Sequence, residues 1–225
     1  MARKPSLSIE KLTELPAQKL AQLVLDEADR MLDMGFADEI GKILALLPKK
    51  RQNLLFSATF SDDIRKLTNS LLKSPVKIDV SPRNSAPKSV KQWAYEVDKS
   101  KKSALLSHLI RSKRWSQALV FTRTKKGADQ LVRHLKSEDI SAVAIHGDKS
   151  QGLRSRALAD FKANKTRILI ATDIASRGLD IHELPHVINF ELPKVPEDYL
   201  HRIGRTGRAS AQGEGISLVS ADEVK

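Results

Sequence analysis

Residues 118–145 read ALVFTRTKKGADQLVRHLKSEDISAVAI, and their reading decides the fold. Ala118 to Phe121 is an apolar run without alternation, the mark of a strand buried on both faces. Lys125 to Leu135 reads as a helix, and Ala142 to Ile145 is a second buried strand. Strand, helix and strand joined by short polar links form a parallel βαβ unit. Downstream, Leu153 to Phe161 reads as a helix, and Ile168 to Ala171, Val187 to Phe190 and Ile216 to Val219 read as strands. Upstream, Val90 to Val97 is a strand and Lys101 to Ile110 a helix. The alternation predicts an α/β fold with a parallel sheet and helices on both faces. In such sheets function sits on the loops at the carboxyl ends of the strands.

Residues 81–89 hold Pro82 and Pro87 and no large apolar side chain, which marks a linker. They divide the chain into residues 1–82 and 83–225. In the first part, residues 1–20 are polar and weakly patterned. Leu23-Val24-Leu25 reads as a buried strand that stops at Asp26-Glu27. Phe36 to Leu47 carries apolar residues at helical spacing and ends at Pro48. Leu54-Leu55-Phe56 reads as a second buried strand, followed by Ser57-Ala58-Thr59. Ser61 is placed to cap a helix with Ile64, Leu67, Leu71 and Leu72 on one face. Val76 to Val80 alternates and predicts a third strand.

The 225 residues contain 39 Lys+Arg and 27 Asp+Glu, a net charge of +12, and no cysteine. Disulfides and thiolate metal sites are excluded, which points to a reducing, cytoplasmic setting. The longest uncharged stretch, Gln52 to Ser61, falls far short of the roughly 20 residues a membrane span needs. A secretory signal is not expected, because no apolar run follows the basic residues near Met1. Charge is uneven: residues 81–225 hold 26 basic and 16 acidic residues, a net of +10. That excess fits a polyanionic partner or a well-solvated surface. Aromatics are only 4%, so phosphate contacts rather than base stacking would carry any nucleic-acid binding.

Asp26, Glu27 and Asp29 crowd three carboxylates at the end of one strand. A phosphate-borne Mg²⁺ would explain them, one carboxylate holding the ion and the next orienting a water. The acidic first turn of a helix explains them as well.

Val24-Leu25-Asp26-Glu27-Ala28-Asp29-Arg30-Met31-Leu32-Asp33-Met34-Gly35-Phe36 closely resembles motif II of the DEAD-box RNA helicases. Ser57-Ala58-Thr59 resembles motif III, and Leu119 to Thr124 motif IV. His146 to Arg154 is similar to the Gln-x-x-Arg element, Ala171 to Ile181 to motif V, and Tyr199 to Arg208 to motif VI. Order and spacing agree over residues 22–220, with wording nearest the RhlE-like bacterial branch. The resemblance implies RecA-like domains, one near-complete at 83–225 and one partial at 1–82. It implies ATP and Mg²⁺ as cofactors, with Asp26 holding the ion through water and Glu27 activating the attacking water. Arg205 and Arg208 would act as arginine fingers from the second domain, and Asp180 would meet the ribose. Asp29, Ser57, Thr59 and His201 would couple nucleotide state to strand separation. Arg123, Gly147, Gln151, Arg154, Thr172 and Gly178 would track the RNA backbone.

The chemistry suits these residue types. Arginine is always charged and forks onto phosphate oxygens, and Gly204 and Gly207 free the chain to turn around Arg205 and Arg208. Two other patterns carry no site. His182-Glu183-Leu184-Pro185-His186 has zinc-protease spacing, but Pro185 would break the helix that chemistry needs. Gly147 to Gly152 has P-loop glycine spacing, but Leu153-Arg154 stands where Lys and Ser/Thr are required.

No Gly-x-x-x-x-Gly-Lys-Ser/Thr occurs in the sequence. The family carries that loop well upstream of motif II, so the first domain is expected to lack its amino-terminal half. Three readings follow: part of an ATP-dependent RNA helicase, an RNA-binding module without ATPase activity of its own, or a chain that pairs with a separate amino-terminal half. No membrane partner is expected. An unpaired sheet in residues 1–80 should be sticky or partly disordered, and the second domain compact.

Overall fold

A computed structural model describes residues 21–79, 89–176, 181, 183–207 and 212–224. The chain forms two compact units, residues 1–83 and 84–225.

In the first unit, β1 (Gln22–Leu25) pairs in parallel with β2 (Gln52–Leu55), Val24 facing Leu54. Between them run α1 (Ala28–Asp33) and α2 (Ala37–Leu46), and α3 (Asp62–Leu71) follows β2. Helix α2 stops because Pro48 disfavours helical backbone at Leu47, which turns extended at φ −90°, ψ 149°. Helix α3 begins at Ser61, whose hydroxyl accepts from the Ile64 amide at 3.4 Å. Asp62 and Asp63 in its first turn complement the helix dipole. Ile64 and Leu71 are buried.

The third strand expected at Val76 to Val80 does not form over the described residues 76–79. Val76 and Ile78 are 88% and 80% exposed, and among the described residues β1 and β2 pair only with each other. Alternation makes a strand only where a neighbour supplies ladder bonds and one face is covered. Val80 itself lies outside the described residues.

The second unit is a six-stranded parallel sheet in the order β3-β8-β7-β4-β6-β5. Its strands are β3 (Val90–Glu96), β4 (Ala118–Phe121), β5 (Ala142–Ile145), β6 (Ile168–Ala171), β7 (His186–Asn189) and β8 (Gly213–Val219). The helices are α4 (Lys102–Ser112), α5 (Lys125–Ser137), α6 (Gln151–Lys162), α7 (Asp173–Ser176) and α8 (Pro196–Ile203). Central β4 explains its own apolar run. Ala118 and Val120 face one core with Leu106, Leu131 and Ile170, while Leu119 and Phe121 face another with Phe161, Leu169 and Val187. Parallel strands joined through covering helices require this two-sided burial.

The short helices α1, α7 and α8 carry no long apolar periodicity. Helix α8 starts on Pro196, whose fixed φ suits a first turn. No helix among the described residues is long and apolar enough to cross a membrane.

Candidate functional site

In the first unit the acidic motif leaves β1 directly. Asp26 and Glu27 are both exposed, and the Glu27 amide donates to Asp26 Oδ1 at 3.0 Å. Glu27 has left-handed backbone at φ 52°, ψ 45°, an arrangement that costs a non-glycine residue on the order of 1 kcal/mol. It turns the chain sharply from strand into α1 at the point where the two carboxylates project. Asp29 behaves differently: it is buried, and its Oδ2 accepts the Thr59 amide at 2.9 Å. The Ser57 hydroxyl donates to the Thr59 carbonyl at 2.7 Å. Motif II and the Ser57-Ala58-Thr59 turn are thereby brought together through Asp29. Mg²⁺ usually takes one or two carboxylates and receives its other oxygens from phosphate and water. Two exposed carboxylates at a strand end fit that donor set.

In the second unit neighbouring strands β4, β6 and β5 end side by side. Arg123 lies two residues beyond β4, with its backbone amide on Glu191 Oε2 at 2.7 Å and its Nη2 on Glu223 Oε1 at 2.7 Å. Gly147 lies two residues beyond β5 on an exposed loop. Lys125–Asp148 at 2.5 Å and Lys149–Asp129 at 3.0 Å tie that loop to α5. Gln151 opens α6, capped by the Ser150 hydroxyl. Arg154, one turn on, donates to Gln151 Oε1 at 3.3 Å and to the Ala175 carbonyl at 3.5 Å. Thr172 follows β6 and is buried, its carbonyl accepting the Ala175 and Ser176 amides that start α7. The structure thus gathers Arg123, Gly147, Gln151, Arg154 and Thr172 at one end of the sheet.

His201 is exposed on α8, and Arg205 is half-buried in the turn beyond it. Gly204 caps the helix, and Gly207 takes φ +67°, where any Cβ would meet Val90. The chain therefore leaves the helix before Arg205. Gly178, Asp180 and Arg208 lie outside the described residues, as does His182. His186 opens β7 rather than sitting on a helix, and its ring stacks on Trp115 with centroids 4.7 Å apart.

The structure also shows residues that reading the sequence did not single out. Arg202, only 2% exposed, forks onto Asp173 at 2.6 and 2.8 Å. Its Nη1 reaches Asn189 Oδ1 at 2.9 Å and the Glu191 carbonyl at 2.7 Å, and its guanidinium lies over the Phe121 ring. Lys102 and Glu223 form a buried ion pair. Lys102 left one local signal, a cation at a helix start, where the dipole disfavours it. Glu223 also left a local signal, standing three residues after Ser220 at the spacing of a capping box, which forms here.

The second unit is a parallel α/β sheet with arginines and glycines on adjacent strand ends, and comparison with known proteins identifies the fold as RecA-like. Residues 100–210 match the helicase conserved C-terminal domain and residues 5–67 the DEAD/DEAH box helicase family. The chain belongs to the DEAD-box ATP-dependent RNA helicase family. It is 43% identical over 203 residues to DEAD-box ATP-dependent RNA helicase RhpA of Helicobacter pylori, covering 90% of this chain and 41% of that protein. It is 43% identical over 202 residues to CshA of Geobacillus kaustophilus, covering 90% and 43%. The chain spans about two fifths of the length of these relatives. Among solved structures, S. cerevisiae Dbp5 bound to RNA and ADP BeF3 superposes with a TM-score of 0.80 at 33% identity, covering 90% of this chain and 54% of that one. The E. coli DEAD-box protein SrmB, bound to regulator of ribonuclease activity A, covers 60% of this chain and 80% of its own at 38% identity and a TM-score of 0.57.

Proposed function

We propose that the chain carries part of an ATP-dependent RNA helicase that couples ATP binding and hydrolysis to local RNA duplex unwinding or remodelling of RNA–protein complexes. The observation that carries this reading is the convergence of Arg123, Gly147, Gln151, Arg154 and Thr172 where β4, β5 and β6 end. Exposed Gly147 lets a backbone phosphate approach closely, and the capped start of α6 offers amides to it. Arg123 and Arg154 add charge that grips phosphates without reading bases. Gly178 belongs to the same proposed set.

Residues 1–82 and 83–225 are taken as the partial first and the second RecA-like domain. Asp26 would hold Mg²⁺ through water, and Glu27 would orient the attacking water. Arg205 and Arg208 would stabilise charge on the transferring phosphoryl group, with Asp180 at the ribose. Asp29, Ser57, Thr59 and His201 would pass nucleotide state to the RNA grip. The Asp29–Thr59 bond supports the first half of that path. The motif wording supports the RhlE-like bacterial branch, and the lack of cysteine supports a cytoplasmic setting.

Titrating labelled single-stranded RNA at roughly 50 and 200 mM salt tests the RNA grip, because phosphate contacts release counterions. Affinity should fall steeply with salt, and Arg154→Ala should shallow the slope by about one contact. A salt-independent affinity would sink the reading. A second reading, an RNA-binding module without ATPase activity of its own, is supported by the net charge of +10 on residues 81–225, which carry motifs IV to VI. RNA-stimulated ATP turnover that disappears in Glu27→Gln would favour the first reading; RNA binding without turnover would favour the second.

A further inference from the structure

We propose that Glu223 is a positioning residue for RNA binding: from the turn after β8, its carboxylate holds Arg123 in the pose that meets the RNA backbone. This rests on the reading of Arg123 as an RNA contact.

Glu223 ends a 3-10 turn, Ala221–Glu223, and its side chain is 2% exposed. Four N–H donors converge on its carboxylate. Oε1 accepts Arg123 Nη2 at 2.7 Å and the Leu192 amide at 3.0 Å. Oε2 accepts Lys102 Nζ, together with the Ser220 amide at 3.1 Å, while the Ser220 hydroxyl lies between Oε2 at 3.0 Å and Asp222 Oδ1 at 2.6 Å. One carboxylate therefore joins the start of α4 and the ends of β4, β7 and β8. Lys99–Asp222 at 2.8 Å pins the turn a second time.

The difference in exposure explains why this is more than a structural tie. Two cations share one carboxylate, and Glu191, whose Oε2 accepts the Arg123 amide, is a second anion beside them. Lys102 is 2% exposed, and its Nζ also donates to the Phe190 carbonyl at 3.0 Å, so no polyanion can reach it. Arg123 is 32% exposed and lines an open cleft of about 350 Å³. Of the two cations, Arg123 is thus the one within reach of a polyanion. Only Nη2 of its guanidinium is engaged by an acceptor among the described residues. A guanidinium carries five N–H donors in a fixed fork, so the others can bind a phosphate while Glu223 fixes the plane. Without that hold, a long side chain on a loop loses rotamer entropy on every binding event.

The test is RNA affinity of the full chain by fluorescence anisotropy. Arg123→Ala and Glu223→Gln should each weaken binding by roughly fivefold, within the coupling seen between side chains in contact. In the Arg123→Ala background, Glu223→Gln should change affinity less than about twofold, because the carboxylate acts through the arginine. Lys102→Met separates positioning from folding. It should lower the melting temperature yet keep RNA affinity within about twofold, since Arg123, Ser220 and Leu192 still hold Glu223. Equal losses in both backgrounds, or an RNA defect in Lys102→Met as large as that in Glu223→Gln, would overturn the proposal. So would tighter RNA binding by Glu223→Gln, which would mean that the carboxylate competes with RNA. A silent Arg123→Ala would remove the RNA reading of Arg123 and the clamp with it. A defective Arg123→Ala beside a silent Glu223→Gln would remove the clamp alone.

Discussion

Arg202 shows what a single side chain does in this fold. Its guanidinium reaches Asp173 at the start of α7, Asn189 at the end of β7 and the Glu191 carbonyl, while stacking over Phe121 at the end of β4. Three segments that frame the proposed RNA grip are therefore held by one buried cation. Lysine could keep the charge but not the planar fork, and would leave buried acceptors unmet. Arg202→Lys should destabilise the second unit by roughly 2–3 kcal/mol. Trp93 and Trp115, the only tryptophans in the sequence, both lie in that unit. Urea unfolding followed by their fluorescence therefore reads it directly. A change within about 0.5 kcal/mol, the size typical of a neutral surface substitution, would contradict the role given to the fork.

At the level of the element, the Ala221–Glu223 turn carries two carboxylates held well below their ordinary range. Burial by itself would raise the Glu223 carboxyl, but hydrogen bonds from Lys102, Ser220 and Leu192 outweigh it and bring it down to about 2. Asp222, hydrogen-bonded by Lys99 and Ser220, is likewise lowered to about 2. A carboxylate whose folded pKa lies below its unfolded value stabilises fully above the unfolded value. That contribution is lost as pH falls from the ordinary carboxylate range near 4.5 toward 2. Melting temperature of the second unit should therefore drop between roughly pH 5 and pH 3, and the drop should be shallower in Glu223→Gln. Parallel curves for the two proteins would show that Glu223 is not the titrating anchor.

Across the whole molecule the two units differ in how well their sheets are covered. In the first, Val24, Leu54 and Phe56 remain 53%, 37% and 54% exposed around a two-stranded sheet, an assembly that is marginal by itself. In the second, β4 and β6 are buried at every position. Limited proteolysis should therefore consume the first unit and leave a stable fragment close to residues 84–225, and an apolar dye should bind before that cleavage and less after it. Survival of the first unit with loss of the second would contradict this. The sequence by itself determined where β4, β5 and β6 run, because burial on both faces demands unbroken apolar runs such as those at 118–121 and 168–171, whereas β8 begins at Gly213, three residues before the expected Ile216. It also determined which residues follow β4, β5 and β6, among them Arg123, Gly147 and Thr172, for which an RNA role is proposed. Only the tertiary structure decided the strand order, the failure of Val76 and Ile78 to join a sheet, the Asp29–Thr59 link, and the partners of Arg202 and Glu223. Lys102 and Glu223 lie 121 positions apart. A local pattern records which face of an element meets the core, whereas the identity of a distant charged partner depends on how whole elements pack together.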